Sequence, residues 1–207
     1  IENFTPGVMD RFGLGYEELK KANPGLIYAS VSGFGHTGPY RALPAFDALA
    51  QALGGFMSVT GYRDGPPTKA GPAIADYIGG LYVAISILAA LQYRSRTGEG
   101  QHIDISLQDS IWAITAMAYS PTYFLTGEVP PRTGNSQLET TPFSAFPAKD
   151  GYLIIAIATV GQWQALLRVM GREDLIGVKK YATQVERMKY VDEVEAIVSG
   201  WTRSVSE

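Results

Sequence analysis

The sequence predicts an α/β fold: a Rossmann-like portion of a large domain with a parallel sheet, then a linker, then a small α+β portion. Three observations carry that reading. The run Leu26-Ile-Tyr-Ala-Ser-Val-Ser follows the turn Asn23-Pro24-Gly25 and is continuously apolar or small, as expected of a strand covered on both faces. Apolar helical stretches alternate with such runs through the first part of the chain. Further on, Phe143-Ser-Ala-Phe and Tyr152-Leu-Ile-Ile-Ala-Ile-Ala flank the turn Lys149-Asp150-Gly151, a hairpin signal.

Taken in order, residues 15–22 (Gly-Tyr-Glu-Glu-Leu-Lys-Lys-Ala) read as a helix that precedes the first strand. A second helix is expected over 45–54. A third is expected over 77–93, around the apolar run from Leu81 to Leu91, and reads as buried on most sides. That run is too short to span a bilayer, for which about 20 residues are needed. Arg94 and Arg96 suit its C-terminal end and Gly98 its stop. Residues 102–107 alternate like a strand after the turn Thr97-Gly-Glu-Gly-Gln, and 109–125 form another mostly apolar helix. Gly127, Pro130, Pro131, Gly134 and Pro142 then crowd a short linker. Helices over 162–170 and about 185–201 complete the second part. The expected division is a large-domain part over 1–107, a helix and linker over 108–140, and a small α+β part over 141–207.

Composition excludes whole classes of chemistry. The 207 residues carry 17 basic and 20 acidic side chains, a net charge of -3, so no basic excess draws the chain to nucleic acid or an anionic membrane. With 46% hydrophobic and 18% charged residues the chain is core-forming and not disordered. Zero cysteines remove disulfides, thiolate nucleophiles and cysteine metal sites, and two histidines argue against a histidine-rich metal centre. The chain begins with Ile1 and opens on the loop-like Asn3-Phe4-Thr5-Pro6-Gly7, which does not read as a leader. It is therefore expected to be part of something longer.

Gly33-Phe-Gly-His-Thr-Gly38 matches G-x-G-x-x-G after a predicted strand. A dinucleotide site needs a helix starting inside the motif, and Pro39 and Pro44 oppose one, so this reads as a glycine-rich loop. His36 in that loop and His102 at a strand start read as solvated or hydrogen-bonded residues, and Lys20-Lys21 and Lys179-Lys180 as solvated faces. Asp76, in Gly71-Pro-Ala-Ile-Ala-Asp76-Tyr-Ile-Gly79-Gly80, has two compatible readings. One is an N-cap of the long apolar helix. The other is a nucleophile, since a helix N-terminus keeps a poorly hydrated carboxylate ionised. Gly79 and Gly80 cost helix stability and are expected to provide close approach for another backbone or a substrate.

These segments resemble the class III CoA-transferases, the family of formyl-CoA transferase and carnitine CoA-transferase. The resemblance rests on Glu2-Asn3-Phe4-Thr5-Pro6-Gly7 with Asp10-Arg11, Asn23-Pro24-Gly25-Leu26-Ile27-Tyr28, Ser30-Val31-Ser32-Gly33-Phe34-Gly35, Thr37-Gly38-Pro39-Tyr40, Ala73-Ile74-Ala75-Asp76, Leu88-Ala89-Ala90-Leu91, Arg96-Thr97-Gly98-Glu99-Gly100-Gln101 and Gly134-Asn135. The matches run in order through nearly the whole chain, which looks like the middle of a family member. The resemblance implies that Asp76 is the nucleophile and that CoA passes from an acyl-CoA to a small carboxylic acid through aspartyl mixed-anhydride and aspartyl-CoA thioester intermediates, with no metal. It implies that Asn3, Phe4 and Arg11 contact CoA, and that Ala45, Phe46 and Asp47 lie beside the nucleophile.

Residues 136–141 contain no glycine where formyl-CoA transferase has a glycine-rich lid, so a formyl/oxalyl substrate pair is not expected. Related α-methylacyl-CoA racemases carry a histidine where this chain has Phe46, which ranks racemase second. A non-catalytic acyl-CoA-binding subunit is the third reading. The resemblance further implies an interlocked homodimer and a cytoplasmic enzyme (mitochondrial matrix or peroxisome in a eukaryote), inactive as a fragment.

Overall fold

The computed structural model describes residues 1–206. The chain divides into two compact units, Ile1–Gly61 with Gly65–Arg132, and Tyr62–Asp64 with the segment from Thr133 onward.

In the first unit, β1 (Tyr28–Ser32) and β2 (His102–Ser106) run parallel, in register from Tyr28 opposite His102 to Ser32 opposite Ser106. On the other edge of β1, Glu2 forms a parallel bridge to Ser30: its N–H donates to the Ala29 carbonyl at 2.9 Å and its carbonyl accepts from the Val31 N–H at 3.0 Å. Short helices α1 (Val8–Arg11) and α2 (Tyr16–Ala22) precede β1. The crossover to β2 carries α3 (Asp47–Leu53), α4 (Phe56–Val59) and α5 (Ile74–Thr97), and α6 (Leu107–Thr126) follows β2. Residues 33–46 form no helix, so the glycine motif is a loop, with Gly35 and Gly38 at φ +75° and +79°.

Ala29, Ile103, Val83 and Ala90 form one core cluster, where α5 lies on the sheet. Ala50, Ala75, Leu107 and Ile111 form a second, joining α3, α5 and α6. Both depend on small residues at the contact, which let helix backbones approach closely.

The long helix corrects the sequence reading in three ways. It starts at Ile74, three residues before the expected 77, and runs to Thr97, so Asp76 lies inside the first turn and is not its N-cap. Ala73 occupies the cap position and makes no side-chain cap bond. Nor is the helix buried on most sides: Ala75, Gly79, Val83 and Ala90 are buried, while Tyr77, Leu81, Ile85 and Leu88 are exposed. Val83 and Ala90, with Ile87, face the sheet, and Ala75 meets α3 and α6. By length and composition alone, this 24-residue helix is long and apolar enough to cross a membrane, which the shorter apolar run did not suggest. Its end behaves as expected, with Gly98 at φ +79° donating to the Arg94 carbonyl.

The second unit pairs β3 (Phe143–Pro147) and β4 (Tyr152–Ala156) antiparallel. Helix α7 (Val160–Val169) opens on a capping box of Thr159 and Gln162. The core gathers Phe146, Trp163, Leu167, Tyr181, Val194 and Val198. The helix expected over 185–201 is broken into α8 (Gln184–Met188) and α9 (Val191–Thr202), with Tyr190 at φ -129°, ψ 37° between them. The break places the fully buried Arg187 where its guanidinium donates to the Thr141 and Tyr181 carbonyls, both at 3.0 Å, and to Gln184 Oε1 at 2.6 Å. It also stacks over Trp163 at 5.2 Å. A buried charge is tolerated when each donor has a partner.

Candidate active site

The carboxyl-terminal ends of parallel strands are where ligands bind in open α/β sheets, because the connecting loops leave a crevice there. A cleft of about 490 Å3 opens at that end of the first unit, within the usual range for a small-molecule site. Val31, Ser32 and Gly33 continue from the end of β1, and Leu107 follows β2. Asn3, Phe4, Thr5 and Pro6 form one wall. Leu43 to Phe46 form another, and Asp76 and Gly80 supply the side from α5.

Of the residues singled out in the sequence, the cleft brings together Asn3, Phe4, Ala45, Phe46 and Asp76. Phe46 is 84% exposed and Phe4 51% exposed. Arg11 ends α1 on an exposed surface and does not line the cleft. Asp47 does not line it either. Its Oδ1 accepts from the Ala75 N–H at 2.9 Å, and its Oδ2 accepts from Gln51 Nε2 at 2.7 Å. Asp47 therefore supplies, from another helix, the acceptor that the first turn of α5 lacks at its own cap position.

Gln51 was not singled out by the sequence reading. It is fully buried, and its Oε1 accepts from the Ala70 N–H at 2.8 Å while its amide nitrogen serves Asp47. The signal that finds it is its spacing, four residues after Asp47 on one helix. Together the pair ties the loop at Ala70 to the start of the helix that bears Asp76.

Two effects raise the Asp76 carboxyl above the usual aspartate value: partial withdrawal from water first, then the negative charge of Asp47. The helix N-terminus acts in the opposite sense. Asp76 is nevertheless an exposed residue, so the result is an ionisable carboxylate presented to an open cleft. That is the condition in which a carboxylate can act as a nucleophile. The two glycines behind it divide the work. A Cβ on Gly79 would lie 2.6 Å from Leu107 Cδ2, so that glycine seats α5 on the start of α6. Gly80 has open space around it and leaves the cleft clear. Gly33 closes the floor, where a Cβ would lie 2.2 Å from that of Ala45.

The two histidines sit elsewhere, in a polar cavity of about 170 Å3 lined with Glu2, Asp10, Tyr16 and Tyr28. His102 Nε2 and Ser30 Oγ are 2.9 Å apart, and the His36 and His102 rings meet edge to face at 5.6 Å. Burial, and then His36, hold His102 below the usual histidine value. A further cavity of about 290 Å3, lined by Val59, Trp112, Tyr119, Tyr123 and Phe124, offers aromatic faces and no carboxylate. Among the described residues, no group of three or more His, Asp or Glu is placed to hold a metal ion.

The sequence profile of CoA-transferase family III matches residues 1–207. The chain is 41% identical to the succinyl-CoA:mesaconate CoA-transferase of Haloarcula marismortui, covering 99% of this chain and 52% of that protein. It is 42% identical to the acetyl-CoA:oxalate CoA-transferase of Acetobacter aceti, covering 94% and 50% respectively. A crystal structure of a CAIB/BAIF family protein from Brucella suis superposes with a TM-score of 0.83 at 40% identity, over 99% of this chain and 54% of that one. The chain thus spans about half the length of the curated relatives it matches.

Proposed function

The chain belongs to CoA-transferase family III, and from that premise we propose that the protein carrying it moves CoA from an acyl-CoA to a small carboxylic acid, with Asp76 as nucleophile. The observation that supports this reading is the Asp76 side chain lining the cleft, at the carboxyl ends of the parallel strands.

An Asp76 Oδ attacks the thioester carbonyl, forming an acyl–aspartyl anhydride and expelling CoA thiolate. The thiolate attacks Asp76 Cγ, forming the aspartyl-CoA thioester and releasing the donor carboxylate. An acceptor carboxylate attacks that thioester, giving a second anhydride and freeing the thiolate again. The thiolate then takes the acceptor acyl group and restores Asp76. No net proton or redox equivalent is consumed. Splitting the transfer in this way keeps the thioester energy as long as water is excluded.

In this reading Asn3 and Phe4, which line the cleft, contact the CoA chain, and Arg11, which does not, meets only a portion of CoA that extends beyond it. Relatives named for mesaconate and oxalate put dicarboxylic acids first among the acceptors to test. A two-base α-proton exchange is disfavoured, because Phe46 brings no base to the cleft and both imidazoles line a different cavity.

The test is an assay of the whole protein with succinyl-CoA against a panel of mono- and dicarboxylates, with the CoA esters separated by chromatography. Appearance of a new CoA ester, lost in Asp76→Ala, is the expected result. CoA-ester binding without transfer, or α-proton exchange in deuterated water, would replace this reading.

A further inference from the structure

A buried carboxylate stands behind the Asn3–Pro6 wall of the cleft. Glu2 is 8% exposed, and its backbone is held on β1 by the bonds to Ala29 and Val31. Its Oε2 accepts from the Phe4 N–H at 2.8 Å. Its Oε1 faces His36 Nε2 at 3.7 Å, and the His36 backbone N–H donates to Asp104 Oδ2 at 2.8 Å. Burying an acid is costly unless its oxygens are engaged. A fold that needed only an apolar residue beside β1 would have no use for it. What the carboxylate does here is take up a backbone donor just past the bridge, where the chain has left the sheet and no strand accepts from it.

The consequence falls on Phe4. Its ring is half exposed and lines the cleft, so core packing does not fix its direction. The Phe4 N–H bond to Glu2 holds the main chain from which that ring projects. On its other side the same carboxylate lies 3.7 Å from His36 Nε2, in the loop that begins at Gly33.

We propose that Glu2 is a positioning residue that holds the Asn3-Phe4 wall in place for an acyl-CoA, acting through the Phe4 backbone. The inference rests on the reading of the cleft as the CoA-ester site. Because Glu2 supports the wall and does not touch the reacting atoms, its loss acts on CoA-ester capture more than on the later attack by the acceptor acid. By then CoA is already covalently held.

The test uses the whole protein and two near-isosteric variants. Glu2→Met fills the same space with no acceptor, and Glu2→Gln keeps an amide oxygen for the Phe4 N–H. Loss of a charge-assisted hydrogen bond predicts that Glu2→Met lowers kcat/KM for the acyl-CoA about tenfold. The value for the acceptor acid stays within about threefold in the same steady-state series, and Glu2→Gln restores most of the loss. The dissociation constant of free CoA, measured by calorimetry, rises in Glu2→Met to the same extent. A Glu2→Met enzyme whose two kcat/KM values fall equally, or not at all, overturns the proposal. If the parent protein transfers no CoA, the functional reading fails instead, and the calorimetric comparison with free CoA decides the role of Glu2 separately.

Discussion

Removing the Asp47 carboxylate tests how the cleft is held together. Asp47→Ala leaves the Ala75 N–H and the Gln51 amide nitrogen without their acceptor. Loss of an end-capping side chain costs about 1 kcal/mol. A buried donor left unpaired costs about 1–3 kcal/mol, and Gln51 is fully buried. Gln51 cannot escape by flipping its amide, because its oxygen is already engaged by the Ala70 N–H. The sum is a loss of about 2–4 kcal/mol in unfolding free energy, read from urea denaturation of the whole protein. Asp47→Asn keeps one acceptor for Ala75 but turns an NH2 toward another NH2, so it loses about half as much.

Activity adds a second readout. The Asp76 carboxyl titrates above the ordinary aspartate value partly because Asp47 is charged, and attack requires the ionised form. Asp47→Asn therefore moves the acid limb of the kcat/KM profile to lower pH, while the larger contribution from partial desolvation keeps it above the ordinary value. A midpoint unchanged in Asp47→Ala, or an acid limb that stays put or moves up in Asp47→Asn, would refute the reasoning.

The folded state holds the Asp76 proton more tightly than the unfolded chain does, so ionisation of Asp76 opposes folding. That opposition is absent below the ordinary value of 3.8 and complete above the raised folded value. Asp76→Asn should thus raise the thermal midpoint at pH 7 more than at pH 3 while abolishing transfer. Gly79→Ala drives a methyl into Leu107 and should destabilise by about 1–3 kcal/mol, less the helix propensity gained. Gly80→Ala meets nothing in the fold, so it should gain up to about 1 kcal/mol while raising KM by narrowing the cleft. In the second unit, burial lowers the affinity of Arg187 for its proton, and its donors serve two carbonyls and an amide. Arg187→Ala should cost about 3–5 kcal/mol in a denaturation experiment, because it empties space beside Trp163 and strands those acceptors.

The parallel strands, the hairpin and the glycine stop of α5 were legible because each depends on residues near one another in sequence: a small apolar run after Pro24-Gly25, two runs around Asp150-Gly151, and a left-handed residue at Gly98. The start of α5 was not. Its first turn is capped by Asp47, 28 residues away, and no local pattern reports a cap donated from another helix; of the two readings the sequence offers for Asp76, N-cap and nucleophile, the structure removes the first. The inward face of α5 was also hidden, because an apolar helix with little alternation does not reveal whether its small or large residues meet the sheet. The split between α8 and α9 has no glycine or proline to mark it, and follows from where Arg187 finds its acceptors. At the site, Asn3, Phe4, Ala45, Phe46 and Asp76 fall in one cleft, whereas Arg11 and the Asp47 carboxylate lie outside it. Gln51 and Glu2 act through buried hydrogen bonds that only the folded arrangement displays.

The central claim is that Asp76 carries the acyl or CoA group covalently during transfer. The most direct measurement incubates the whole protein with succinyl-CoA and hydroxylamine, then maps the modified residue by mass spectrometry. The account predicts a hydroxamate at Asp76 that forms only with the CoA ester present and disappears in Asp76→Asn. Undiminished transfer with no modification at Asp76, or a hydroxamate on another residue, would contradict it.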